Sequence, residues 1–182
     1  MLLRRLRHAV AGLALLTLGG PALAEPADPR ERVERLLSHR HQTPPKAALA
    51  QVPGVEKILR SIAADPQGFA PRRYAAFDAL QHWPDGQTRA LYLSAVAADQ
   101  PTGLRHRVLR LWPRAFGDAA LPVLQAALQD PDRQIRLTAA HAVDELAGGA
   151  AHKALADAAA QEADPTVRDA LAHLLQRRGR LR

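Results

Sequence analysis

The sequence predicts an all-α protein built by stacking pairs of antiparallel helices, and three observations carry that reading. An acidic residue followed six positions later by arginine recurs as Asp99…Arg105, Asp130…Arg136 and Glu162…Arg168. Arg73 extends the series backwards, so the steps between arginines are 32, 31 and 32 residues. A period of that size marks a repeat architecture, in which no unit can bury its apolar face alone. Apolar residues also stand three, four and seven places after each arginine: Ala76, Phe77, Leu80; Val108, Leu109, Trp112; Ala139, Ala140, Val143; Leu171, Ala172, Leu175. Those offsets line one face of an α-helix. Finally, helix-stopping chemistry separates the apolar segments, at Pro84-Asp85-Gly86, Phe116-Gly117-Asp118, Asp130-Pro131-Asp132, Gly148-Gly149 and Asp164-Pro165. The expected architecture is a right-handed α-solenoid of about four units behind an N-terminal helical cap.

The elements follow in chain order. Asp28-Pro29-Arg30-Glu31 has the spacing of a capping box with proline at the first helical position. Val33, Leu36 and Leu37 then supply an apolar face. A linker from His39 to Pro45 leads to a short helical piece ending at Pro53-Gly54, and Val55, Ile58, Leu59 and Ile62 line the next helix before Asp65-Pro66. Residues 25–70 break the period and read as the cap, irregular because a terminal unit covers apolar surface on one side only. Residues 71–177 carry the repeats. Between the arginine-led helices lie others with their own stripes: Leu91-Ala95-Ala98, Leu121-Leu124-Leu128 and Leu155-Ala159. Asp118 is the expected N-cap of the second of these, which places Pro122 in a first turn where no intrahelical donor is lost. Gly179 is expected to end the last helix, leaving residues 178–182 as a basic tail.

The stretch Ala120-Leu121-Pro122-Val123-Leu124, followed by Asp130-Pro131-Asp132-Arg133-Gln134-Ile135-Arg136, resembles the HEAT-repeat family. The likeness is to its short bacterial form, also found in phycobilisome lyases. Glu162 to Arg168 matches with Asp164-Pro165 shifted by two places, Asp99 to Arg105 matches more loosely, and the Arg73 copy has Gln67 where the acid should stand. The resemblance covers roughly residues 70 to 177 and implies helix-pair stacking. It also implies that Asp99, Arg105, Asp130, Arg136, Glu162 and Arg168 form a structural ladder tying turns to neighbouring units. On activity it is almost silent, because one fold hosts many functions.

Residues 1–24 read as a targeting segment. Arg4, Arg5 and Arg7 precede an apolar run from Ala9 to Leu18, and Ala22-Leu23-Ala24 offers a cleavage site before Glu25. The run is too short for a spanning helix, which needs about 20 apolar residues. A periplasmic or exported protein is expected. The formal charge is +7, from 25 basic and 18 acidic residues. Three of the basic residues lie in the targeting segment and four, Arg177, Arg178, Arg180 and Arg182, at the end, so residues 25–176 balance at 18 against 18. A neutral body argues against nucleic acid, which wants a positive stripe along the fold. With no cysteine present, thiol catalysis, thiolate metal ligation and a lipid anchor at cysteine are not expected, and the body must hold together by its core alone.

No catalytic constellation stands out, and no cofactor or metal site is expected. His39 and His41 lack a further ligand set. His141 and His173 share one repeat position beside the apolar stripe and should be partly exposed, whereas His106 and His152 are isolated. Ser38, Ser61 and Ser94 lie in helices, outside any nucleophile elbow. Trp112 takes a core position. Trp83, at a helix end before Pro84, would be a natural contact anchor if exposed, and Tyr74, Trp83 and Tyr92 together form the candidate interaction surface. The favoured reading is a non-catalytic interaction module of the cell envelope that binds an unknown protein or peptide. The alternative is an enzyme on the same scaffold, by analogy with the lyases. Arg177, Arg178, Arg180 and Arg182 could add weak contact with an anionic surface.

Overall fold

The computed structural model describes residues 28–38 and 44–180. The targeting segment, His39, His41 and Arg182 lie outside the described residues. Among those described, every regular element is helical and no strand occurs.

Helix α1 (Pro29–Leu37) opens with Asp28 accepting the Arg30 N–H and Pro29 in the first turn, the Asp28 half of the expected capping box, and it buries Val33 and Leu37. After the short α2 (Lys46–Leu49), Gly54 turns the chain with φ +69°, a conformation open to glycine at no steric cost. Helix α3 (Val55–Ala64) then buries Val55, Leu59, Ile62 and Ala63. It packs against α4 (Ala70–Leu80), and α1 rests on both. The boundary expected at residue 70 therefore falls between the two helices of one pair.

Three further pairs follow. Asp85 caps α5 (Gly86–Ala95) through the Thr88 N–H, and α5 packs on α6 (Thr102–Leu109). The buried stripe of α5 is Thr88, Tyr92 and Ala95, not the expected Leu91-Ala95-Ala98. Ala98 lies beyond the helix end and is exposed, because the large Tyr92 side chain takes the inward position and turns Leu91 to the edge. Helix α6 stops short of Trp112, since the Pro113 ring would clash with the carbonyl four residues back. Trp112 instead begins α7 (Trp112–Phe116) and remains fully buried. Asp118 does not cap the next helix. It sits inside a 3-10 turn, Gly117–Ala120, which runs directly into α8 (Leu121–Ala127) with Pro122 in the first turn.

Helix α8 pairs with α9 (Arg133–Asp144), and α10 (Gly148–Gln161) with α11 (Pro165–Arg180). Gly148-Gly149 is less a break than the first turn of α10, entered at φ +82° on Gly148. In α11 the buried residues are Val167, Leu171 and Leu174, while Ala172 is exposed and Leu175 half-buried. This departs from the predicted stripe because α11, last of the described helices, packs chiefly on α9 and α10, and its apolar face turns to meet those two. Gly179 does not end the helix. Its propensity cost of about 1 kcal/mol is offset by the anchoring of Arg178 described below.

Between pairs, α4 packs on α6, α6 on α9 and α9 on α11, while α3 touches α5. One apolar core runs through these contacts from Val33 to Leu174. Its bulkiest part is aromatic. Tyr92 stands 6.0 Å from the rings of Phe77, Trp112 and Phe116, and Trp112 lies 4.9 Å from Phe116.

Candidate interaction surface

The arginines of the series tie their own turns through backbone carbonyls, and Arg105 and Arg136 also bridge to the acid of the next unit. Arg136 donates through Nε and Nη2 to the two carboxylate oxygens of Glu162, the acid of the next unit, at 2.8 and 2.9 Å. Its remaining nitrogen reaches back to the carbonyls of Asp130 and Pro131 at 2.9 and 3.2 Å. Arg105 repeats the pattern, holding the Asp130 carboxylate and the Val96 carbonyl. Each acid is fixed from a second side by a backbone N–H two residues on, Asp132 to Asp130 and Asp164 to Glu162, both at 2.9 Å. The Arg136 guanidinium holds the Glu162 carboxyl below the ordinary carboxylate range, and the same bonds raise the arginine. Arg168 makes one long bond to the Glu162 carbonyl.

Asp99 departs from the expectation. By analogy its mate would be Arg73, yet Arg73 bonds the Ala63 carbonyl, and among the described residues Asp99 accepts only from Gln100.

The three aromatic residues expected to share a surface are separated. Tyr92 is fully buried and its hydroxyl donates to the Phe77 carbonyl at 2.7 Å, so it belongs to the core and not to a contact face. Burial, reinforced by the Asp78 charge, pushes its phenol far above the usual range. Trp83 is half-buried at the end of α4, with the Lys46 ammonium 5.8 Å from its ring and His82 edge-on to it. It borders a shallow 320 Å³ depression shared with Glu56, Arg60 and Asp85. Burial and then Lys46 lower the His82 imidazole. Tyr74 is half-buried on α4 under the Arg107 guanidinium, 5.5 Å from the ring, while Arg107 also grips Asp78.

Tyr74 and Asp78 extend a regularity that the sequence reading catches only at His141 and His173. They stand one and five places after Arg73. The same offsets give His106 and Arg110 on α6, Leu137 and His141 on α9, and Asp169 and His173 on α11. Residues four apart lie on one helix face, and these pairs form the stripe of the second helices turned away from the arginine ladder's apolar neighbours. Aligning the copies for polar as well as apolar residues would have found it.

On α6 and α9 the stripe lines a groove of about 520 Å³ containing His106, Arg110, Gln134, Thr138, His141 and Arg177. Burial and the neighbouring Arg110 keep His106 below the ordinary imidazole range.

The C-terminal arginines are not a loose cluster. Arg178 donates to the carbonyls of Asp144 at 2.9 Å and Leu146 at 2.8 Å, closing the C-terminal end of α9, and Arg177 pairs with the Asp144 carboxylate. The same residues line an open hollow of about 640 Å³ beside Gly148. Two of the four arginines expected to meet an anionic surface are thus engaged internally.

Among the described residues, no group of three or more His, Asp or Glu is placed to hold a metal ion, and no helix is long and apolar enough to cross a membrane. Residues 90–176 match the family model of HEAT repeats. No curated protein matches the chain.

Proposed function

Residues 90–176 belong to the HEAT-repeat family, and from that premise we infer that the chain is a non-catalytic interaction module of the bacterial cell envelope. HEAT repeats suggest a protein-interaction scaffold. The observation that carries the reading further is the side-by-side packing of α4, α6, α9 and α11, with a groove lined largely by polar side chains where α6 meets α9. In this reading the pairs continue one another as a right-handed solenoid of about four units. The α1–α2 segment closes one end, and the Arg178 anchor closes the other. Such stacks present extended surfaces whose specificity lies in the exposed positions of each repeat. The envelope location draws on residues 1–24, with their basic start, apolar run and small-residue cleavage site.

The test is affinity purification from the periplasmic fraction, with the tag placed away from the C-terminus so that the Arg178 anchor stays intact. The expected result is a chain beginning at Glu25 by mass, with one partner recovered reproducibly. A chain retained in the cytoplasm with residues 1–24 attached would refute the location. Turnover of a small molecule by the purified chain with no partner would refute the module.

A further inference from the structure

We propose that the groove between α6 and α9 binds an acidic, partly apolar peptide segment of the partner protein, anchored on Arg110. This rests on the reading of the chain as an interaction module and names what that surface recognises.

The groove offers donors in excess. Arg110 is exposed at the C-terminal end of α6, lines the groove, and has no carboxylate partner among the described residues. The other cations nearby are committed: Arg107 to Asp78, Arg114 to Glu145 and Arg177 to Asp144. The carboxylates at the rim are the opposite members of those pairs, so Asp144 and Glu145 do not neutralise Arg110. The Gln134 side-chain amide and the His106 and His141 rings add N–H groups without partners among the described residues. With the His106 imidazole held below its ordinary range, Arg110 is the charge of the lining that has no ion-pair partner among the described residues. The Thr138 hydroxyl already donates to the Gln134 carbonyl at 2.7 Å and can only accept further.

The apolar members of the lining are the half-buried Leu137 and, almost wholly covered, Ala142, beside the rim carboxylates of Asp144 and Glu145. Leu137 beside the N–H donors suits a chain carrying both apolar and acidic side chains, and a groove of about 520 Å³ admits several residues. A guanidinium facing a carboxylate can pair bidentately, which fixes register as well as charge. Charge complementarity of this kind sets partner choice and encounter rate.

The experiment uses the full chain and a fluorescent peptide of glutamate interleaved with leucine and alanine, read by anisotropy at low salt. The same peptide with lysine in place of glutamate is the comparison. The acidic peptide should bind, the lysine peptide should not, and Arg110→Glu should weaken binding about tenfold or more. Because the Arg110 side chain makes no bond among the described residues, the variant should melt like the wild type. Lys57→Glu, on exposed α3 surface, should bind normally. Equal affinity for both peptides, or unchanged affinity in Arg110→Glu, would overturn the proposal. So would displacement by inorganic phosphate or free glutamate as effective as by unlabelled peptide, which would reduce the groove to a small-anion site. If Arg110→Glu recovers the same partner as wild type from cells, this site is wrong while the interaction-module reading stands.

Discussion

Replacing Arg136 with alanine should cost far more than the same change at Arg168, the exposed member of the arginine series. Its side chain is 16 % exposed and its partner Glu162 7 % exposed, so the pair is largely withdrawn from water. The substitution removes two bonds to the carboxylate and two to the Asp130 and Pro131 carbonyls, leaving Glu162 with the Asp164 N–H alone. Breaking one side of a fully buried pair costs about 3–5 kcal/mol, whereas exposed pairs contribute about 0–1 kcal/mol. The partial exposure here places the loss between them, at about 2–3 kcal/mol. For a chain of this size that lowers the melting temperature by about 4–12 °C. Calorimetry of Arg136→Ala beside Arg168→Ala is the assay, since Arg168 is exposed and keeps one 3.3 Å carbonyl bond. The pH dependence supplies a second check. The folded state depresses the Glu162 carboxyl from its ordinary value of 4.5, so this stabilisation is fully present above that value. It is lost as pH falls through the lower folded value, and the gap between wild type and Arg136→Ala should close in acid. Equal melting of Arg136→Ala and Arg168→Ala at neutral pH would refute the reasoning.

Tyr92→Phe should keep the fold but lose about 1–2 kcal/mol, because the Phe77 carbonyl forfeits a buried donor; urea melts with an unchanged m-value would show it. Arg178→Ala should free the carbonyls at the end of α9 and destabilise by about 1–3 kcal/mol, whereas Arg180→Ala should change nothing measurable; hydrogen exchange at the α9–α10 junction separates them. The folded states of His82 and His106 hold their imidazoles below the usual 6.5. Between the folded values and 6.5 the unfolded chain binds more protons, so melting temperature should fall as pH drops from 7.5 to 5.5, and His82→Gln with His106→Gln should flatten that slope.

What the sequence makes legible is what repeats. The 31–32-residue period and the apolar offsets place Phe77, Leu80, Val108, Leu109, Trp112, Ala139, Ala140 and Val143 in the core, and all eight are buried. The cap of α1 follows because the bond from the Arg30 N–H to the Asp28 carboxylate is local. Local rules fail where a neighbour decides. Nothing near Tyr92 in sequence says that its ring fills the space between Phe77 and Trp112. The rotation of the α11 stripe depends on which helices it meets. Gly179 reads as a breaker until Arg178 is seen bonding residues more than thirty positions away. The groove at Arg110 escapes for a different reason. It is built from the polar positions of two copies, and each copy alone looks like an ordinary solvated helix face.

The missing rung at Asp99 shows how the stack tolerates a broken pattern. Where Arg105–Asp130 and Arg136–Glu162 bind successive units through buried ion pairs, the junction of α4 with α6 has none between Arg73 and Asp99. Two other contacts take over that junction. Arg107 crosses to Asp78 beside Tyr74, and the rings of Phe77, Tyr92, Trp112 and Phe116 fill the space behind it. Arg89 lies 5.5 Å from the Trp112 ring and 5.7 Å from Phe116, adding a cation over the aromatic faces. The other junctions bury smaller side chains, such as Val108, Ala139, Val143 and Leu171, and there a buried ion pair spans the units. Aromatic bulk replaces the ladder at the point where the recognisable repeat begins, near residue 90. Trimming Trp112 to leucine should therefore destabilise the chain by about 1–3 kcal/mol, and it should loosen the α4–α6 junction before the α9–α11 junction. Hydrogen exchange that opened both junctions together would contradict a fold held by different means along its length.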